Sequence, residues 1–173
     1  MKRKIDVFDY AGHICKALSK GVLMTTAHND TVNTMTIGWG KIGIEWGLPI
    51  FAAYVRESRY TKEMLEHNGE FTINVPYGEF DNRILGVCGT KSGRDTDKFA
   101  ELGLITEPPE VISVPGIRQL PLTLECKVIY RQEQELDAMP ASALERFYPK
   151  DSEGKRDCHT VFFGQIVDAY IIE

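Results

Sequence analysis

Val22-Leu23-Met24-Thr25-Thr26-Ala27-His28-Asn29-Asp30-Thr31-Val32-Asn33-Thr34-Met35-Thr36-Ile37 decides the fold class. Apolar and β-branched residues fill Val22–Ala27 and Val32–Ile37, and His28-Asn29-Asp30 between them is turn chemistry, so the stretch predicts a β-hairpin. Upstream, Phe8, Ala11, Ile14, Cys15 and Leu18 share one helical stripe, predicting a helix over Val7–Leu18 that buries Cys15 and ends before Gly21. Downstream, Ile50–Val55 reads as a strand. Ser58-Arg59-Tyr60-Thr61 opens a helix that Met64 and Leu65 bury and Asn68-Gly69 ends. Phe71–Val75 alternates as a half-buried strand that Pro76 stops. Glu79–Cys88 and Asp97–Leu102 predict helices around a polar loop, Gly89–Asp95, with Asp95 as a candidate N-cap. Leu120–Arg131 and Thr160–Ile172 are the longest strand candidates. The polar segment Glu133–Lys155 between them carries one helical turn near Ala141–Phe147. Hairpins without regular βαβ alternation imply a mainly β (α+β) single domain over 1–173, an antiparallel barrel or sandwich with short flanking helices.

Composition narrows the function classes. Of 173 residues, 43% are hydrophobic and 26% charged, which is the range of folded globular proteins rather than disordered chains. Twenty Lys and Arg against 25 Asp and Glu give a net charge of −5 with no basic block, so no nucleic-acid partner is expected. No apolar run nears the ~20 residues that span a bilayer, and the basic start, Met1–Tyr10, leads into no signal core. Cys15, Cys88, Cys126 and Cys158 form neither a disulfide framework nor a C-x-x-C pair, which predicts a reducing, cytoplasmic setting.

Several motifs carry chemistry. Gly38-Trp39-Gly40-Lys41-Ile42-Gly43 spells G-x-G-x-x-G, but Ile44-Glu45-Trp46-Gly47-Leu48-Pro49 after it is no helix, so a dinucleotide fold does not follow. The glycines then mark a bend or bulge, or let backbone approach a flat ligand. Ser58, Arg59 and Thr61 at a helix start would suit a monophosphate, because the first amides and the macrodipole attract an anion; local sequence alone favours an ordinary N-cap, Ser58 or Thr61, with Arg59 in solvent. The loop with Thr90, Lys91, Ser92, Gly93, Arg94 and Lys98 repeats that chemistry without being a P-loop. His159 lies at the start of the last strand. Cys158 beside it points to the opposite face and no other His or Cys lies at ligand spacing, so no metal site is expected. His13, His28 and His67 fall on surface or turn positions.

Taken in order, Asn33-x-Met35-Thr36-Ile37-Gly38-Trp39, Ser58-Arg59-Tyr60-Thr61, Gly69-Glu70-Phe71-Thr72-Ile73-Asn74-Val75-Pro76, Cys88-Gly89-Thr90-x-Ser92-Gly93-Arg94-x-x-Asp97-Lys98-Phe99 and His159-Thr160-Val161-Phe162-Phe163-Gly164 resemble the flavin reductase-like family, most of all its flavoredoxin-like branch. The resemblance runs from about Gly21 to the C-terminus. It implies a six-stranded antiparallel split β-barrel that homodimerises and holds FMN non-covalently. By matching segment, Ser58, Arg59 and Thr61 would hold the phosphate, and Thr36, Gly38 and Trp39 would lie along the isoalloxazine. Gly89, Ser92, Gly93 and Lys98 would close over the ribityl chain and phosphate. His159 would face the docking position of NAD(P)H. The implied activity is electron transfer from NAD(P)H through FMN to free flavin or another acceptor. The alternative is a flavoredoxin-like electron carrier reduced by a partner protein. Gly38-Trp39 and Asp157-Cys158 depart from the family pattern on the substrate side.

Overall fold

Asn29 adopts φ +51° and closes the tight turn of the hairpin, a conformation that asparagine tolerates better than most residues. Around that turn, the computed structural model describes residues 1–173. The chain begins with β1 (Lys2–Lys4), a 3₁₀ turn at Val7–Tyr10 capped by Asp6, and α1 (Ala11–Leu18). The hairpin strands β2 (Val22–His28) and β3 (Thr31–Ile37) come next, then β4 (Gly40–Glu45), β5 (Leu48–Arg56), α2 (Tyr60–Asn68) and β6 (Glu70–Val75). Helices α3 (Arg83–Thr90) and α4 (Lys98–Leu102) precede the short strands β7 (Thr106–Glu107) and β8 (Gly116–Ile117). Strand β9 (Leu122–Glu133), helix α5 (Ala141–Phe147) and strand β10 (His159–Ile172) complete the chain.

The main sheet runs β3-β2-β6-β9-β10-β5-β4, wholly antiparallel, with β1 added beside the end of β10. Strands β3 and β4 therefore lie at opposite ends of the strand order, although only Gly38-Trp39 separates them in the chain. The sheet must curl to bring its ends together, yet no ladder joins them, and this opening is the split. Inside the curl, Met24, Phe51, Phe71, Leu124 and Phe162 from five strands meet in one apolar core closed at the end by Ile14 and Leu18 of α1. Outside it, α3 packs Ile84 and Cys88 on Leu23 and Leu120, with Phe99 and Leu102 of α4 against them. Glu125 is fully buried but not stranded. Its carboxylate accepts the N–H groups of Glu110, Val111 and Ile112 and the Tyr170 hydroxyl, which ties the proline-rich linker to the barrel. No helix is long and apolar enough to cross a membrane.

The mainly β, antiparallel split architecture agrees with the expectation, but the main sheet has eight strands rather than six, and β7 and β8 form a separate pair. Strand β4 carries Gly40 and Gly43 of the glycine-rich motif. Its residues are half exposed or exposed, so the strand pattern is faint. A Cβ on Gly40 would lie 2.8 Å from the Phe51 ring, so glycine is needed there for strand packing. Cys15 is exposed, contrary to its expected burial, because the 3₁₀ turn resets the helical phase and gives the core to Ile14 and Leu18. Helix α3 starts later than expected and runs on through Gly89 and Thr90. The N-cap of α4 is Asp97, not Asp95, with Oδ1 accepting the Ala100 N–H at 3.0 Å.

Gly164 shows how tightly the barrel closes. It follows a register shift in β10, and a Cβ there would stand 2.5 Å from the Phe71 ring and 2.9 Å from the Cys126 Cβ. Gly164→Ala should cost about 1–3 kcal/mol in denaturant unfolding through overpacking. Gly43→Ala, which meets nothing within 4 Å, is the matched control and should unfold close to wild type.

Candidate functional site

The split opens into two adjoining clefts that share Met35 and Arg59. The first, about 170 Å³, is built from the end of β3 through Trp39, from Tyr54 and Arg56 of β5, and from His159. The second, about 70 Å³, lies between β3, the start of α2 and the 91–93 loop, with Lys98 in its wall.

Lys98 is the unusual group in the polar cleft. Only 4% of it is exposed, and its sole acceptor in the chain is the Thr34 carbonyl at 2.5 Å. Burial lowers its pKa; Cys88 opposes that shift and Arg59 adds to it. A buried ammonium with three donors and one acceptor is costly, and an anion in the cleft would relieve that cost. Arg59 beside it makes no side-chain ion pair or hydrogen bond. Thr61 is buried, and its hydroxyl accepts Asn33 Nδ2–H at 3.0 Å while keeping its own proton available. Gly93 is required by close approach, since a Cβ there would fall 2.1 Å from Asn33 Oδ1. Ser92 and Gly93 thus press against β3 and line the cleft.

Two expected ligand hydroxyls, those of Ser58 and Thr36, are otherwise engaged. The Ser58 hydroxyl donates to Asp157 Oδ2 at 2.7 Å and its N–H to Oδ1 at 3.0 Å, so the serine ties α2 to the lead-in of β10. Arg59 is the N-cap residue of α2, without a side-chain cap. Gly89 lies in the last turn of α3 against Thr36 and lines neither cleft. The Thr36 hydroxyl is committed to the Leu85 carbonyl at 2.7 Å, leaving its backbone as the part that lines the split.

The wider cleft is aromatic. The Trp39 indole stands 5.0 Å from the His159 ring and 5.2 Å from Phe147, edge-on to the latter. His159 Nδ1 lies 2.8 Å from the Tyr148 hydroxyl, and its Nε2 has no partner in the chain. Burial foremost, and then the Arg56 guanidinium, lower its pKa to about 4; Asp157 opposes this and Arg59 adds to it. The imidazole is therefore neutral at pH 7. Arg56 holds the roof, donating through Nη1 to the Asp157 carbonyl at 2.5 Å and through Nη2 to the Phe147 carbonyl at 3.0 Å. Its guanidinium also sits 5.2 Å from the Tyr148 ring centre.

Of the expected residues, Thr36, Gly38, Trp39, Ser58, Arg59, Thr61, Ser92, Gly93, Lys98 and His159 line these two clefts, and Gly89 alone does not. Arg56, Tyr148 and Asp157 escaped the sequence reading because their partners are distant in sequence. The aromatic pair Phe147-Tyr148 at the end of the foreseen helical turn was the one available signal.

The family model of the flavin reductase like domain matches residues 16–173. The chain belongs to the flavin reductase-like family. It is similar to the uncharacterized protein YddH of Escherichia coli, with 32% identity over 122 residues covering 68% of this chain and 64% of that one. It thus spans just under two thirds of that relative's length. The flavoredoxin of Desulfovibrio vulgaris superposes with a TM-score of 0.67 at 28% identity, covering 88% of this chain and 69% of its own. An FMN-binding domain of a flavin reductases-like enzyme from Shewanella baltica shares the fold at a TM-score of 0.64 and 16% identity, over 99% of this chain and 77% of its own.

The depressed His159 pKa has a thermodynamic consequence. Between pH 6.5 and about 4 the unfolded imidazole takes up a proton that the folded one refuses. Stability is then unaffected by this group above pH 6.5 and falls as pH drops through that window, by at most roughly 1.4 kcal/mol per unit. Denaturant unfolding of wild type and His159→Gln from pH 7 to 4.5 should show a shallower loss in the variant; parallel curves would contradict a neutral buried imidazole.

Proposed function

We propose that the two clefts together bind FMN and that the protein is an FMN-dependent oxidoreductase of the flavin reductase type, taking electrons from NAD(P)H and delivering them to free flavin or another acceptor. The observation that carries this is the buried Lys98 ammonium, short of acceptors, one shared arginine away from an aromatic cleft. Bound FMN would supply the hydride-accepting and electron-donating chemistry, so no acid, base or nucleophile of the chain is required. Arg59, Lys98 and Thr61 would hold the phosphate, with Ser92 and Gly93 closing over it. The backbone of Thr36 and Gly38 and the Trp39 indole would border the ring. His159 would stand on the side where the nicotinamide docks. The Ser58 hydroxyl and Gly89 drop out of this ligand set for the reasons given above.

A second reading, an electron carrier reduced by a partner protein and lacking a nicotinamide site, is favoured by one feature. Trp39 and Phe147 fill space beside His159 that a nicotinamide would need. The likeness to a flavoredoxin supports the same reading.

The proposed homodimer draws support from the outer face of β5, β9 and β10. Ile50, Ala52 and Val161 are buried in a further apolar cluster there, over which Tyr54, Ile129 and Phe163 lie half-buried. Exposed Tyr130 and Trp46 extend it, with ring centres 6.1 Å apart. Four free cysteines fit the proposed cytoplasmic setting.

Two measurements test these readings. Arg59→Ala and Lys98→Met should each weaken FMN binding roughly 10–100-fold, the size of one charge-assisted hydrogen bond, while changing riboflavin binding little. FMN retained at full stoichiometry by the double variant would overturn the phosphate assignment. Anaerobic NADH or NADPH should bleach the bound flavin without added reductase, and His159→Ala should keep FMN but slow bleaching; flavin that stays oxidised selects the carrier reading.

A further inference from the structure

Behind the Trp39 cleft, three side chains form a connected set that the flavin reading leaves unassigned. His159 and Gln134 clasp each other across β10 and β9: Gln134 N–H donates to the His159 carbonyl at 3.3 Å, and His159 N–H donates to Gln134 Oε1 at 3.2 Å. Only the oxygen of a carboxamide accepts, so this second bond fixes which way the Gln134 amide is turned and leaves its NH₂ as the free end. The Tyr148 hydroxyl has one hydrogen-bond partner in the chain, His159 Nδ1 at 2.8 Å. A phenol so placed spends its proton on that nitrogen, since no other acceptor in the chain reaches it. Tyr148 is 4% exposed and His159 6%, so water does not compete for the pair.

The charges around the ring agree. Arg56 from β5 and Arg59 from the start of α2 face the imidazole, with Asp157 as the one carboxylate and Tyr54, Trp39 and Tyr148 as neutral neighbours. A protonated ring would be a third cation in that corner. A neutral ring with Nδ1 occupied carries its proton on Nε2, the nitrogen without a partner in the chain.

We propose that Tyr148 is a positioning residue that holds His159 as the Nε2–H tautomer, so that the cleft meets its second ligand with a neutral hydrogen-bond donor. That ligand then engages His159 through an acceptor atom, a carbonyl or carboxamide oxygen or an unprotonated ring nitrogen, and His159 does not act as a base towards it. The ligand class rests on the flavin reading of the cleft. The tautomer is a property of the chain alone and is testable without any cofactor.

Imidazole ¹⁵N NMR of the full-length, ¹⁵N-labelled, cofactor-free protein at pH 7 reads the tautomer directly, with His159→Gln used to assign the signals. Wild type should show His159 with unprotonated, hydrogen-bonded Nδ1 and protonated Nε2. Tyr148→Phe keeps the ring packing and should move the Nδ1 resonance to that of an acceptor without a donor. Protonated Nδ1 in wild type, or an Nδ1 resonance indifferent to Tyr148→Phe, overturns the proposal; should that variant not fold, a wild-type Nδ1 at the shift of an acceptor without a donor does so. For the ligand class, benzamide should shift the Nε2–H signal of the FMN-loaded protein and the cationic isostere benzamidine should not. A shift with benzamidine, or with neither, overturns it. A protein with the Nε2–H tautomer that binds no FMN refutes the flavin reading and the ligand class together, and leaves the role of Tyr148 intact.

Discussion

The two ends of the sheet are forced together without being allowed to pair. Strands β3 and β4 are the edges of the strand order, and Gly38-Trp39 is all the chain between them. The curl needed to satisfy that short connection encloses the apolar core. The unpaired seam supplies a cleft whose walls are already part of that core. Met35 illustrates the economy: it belongs to the barrel interior and also lines both clefts. Residues bordering the seam therefore inherit rigidity from the barrel, which is what a site needs when positioning rather than proton transfer is its task.

Burial works on the two key titratable groups in the same direction and with opposite usefulness. It lowers the pKa of Lys98 and of His159, because in both the charged form loses water. Lys98 starts from a pKa near 10.5, so a lowered value leaves a poorly satisfied cation. His159 starts near 6.5, and the same penalty leaves a neutral ring. One environment thus creates an anion-seeking end and an uncharged end within a single groove. Arg59, shared by both clefts, adds to both shifts.

Much of this architecture was legible in the sequence, and the gaps have physical causes. The Val22–Ile37 hairpin, α2 with its Gly69 stop and the long strands β9 and β10 were readable because their periodicity and turn chemistry are local. Strand β4 was not, since glycines required by Phe51 dilute its pattern. Cys15 was misplaced because a 3₁₀ turn changes the helical phase without any signal in residue type. In the site, Arg59, Thr61, Lys98 and His159 are legible as motif residues, and the structure sets them along the two clefts. Ser58 lines the polar cleft too, but the carboxylate that engages its hydroxyl comes from Asp157, 99 positions away, which no local pattern announces. Tyr148, Arg56 and Gln134 were missed because nothing near them in sequence announces their partners.

The segment that roofs the aromatic cleft is attached differently from everything beneath it. Between residues 133 and 155 only Tyr148 is buried, and α5 buries nothing. The hold comes from arginines: Arg56 and Arg156 grip the carbonyls of Phe147 and Tyr148, and Arg156 pairs with Glu145 at 2.5 Å. With so little apolar area at stake, this segment forms a separate cooperative unit whose opening costs far less than unfolding the barrel. Amide protons of α5 then exchange with solvent through local excursions, while those of β10 wait for global ones. Opening of the cleft's roof would then be governed by a polar latch rather than by the stability of the fold.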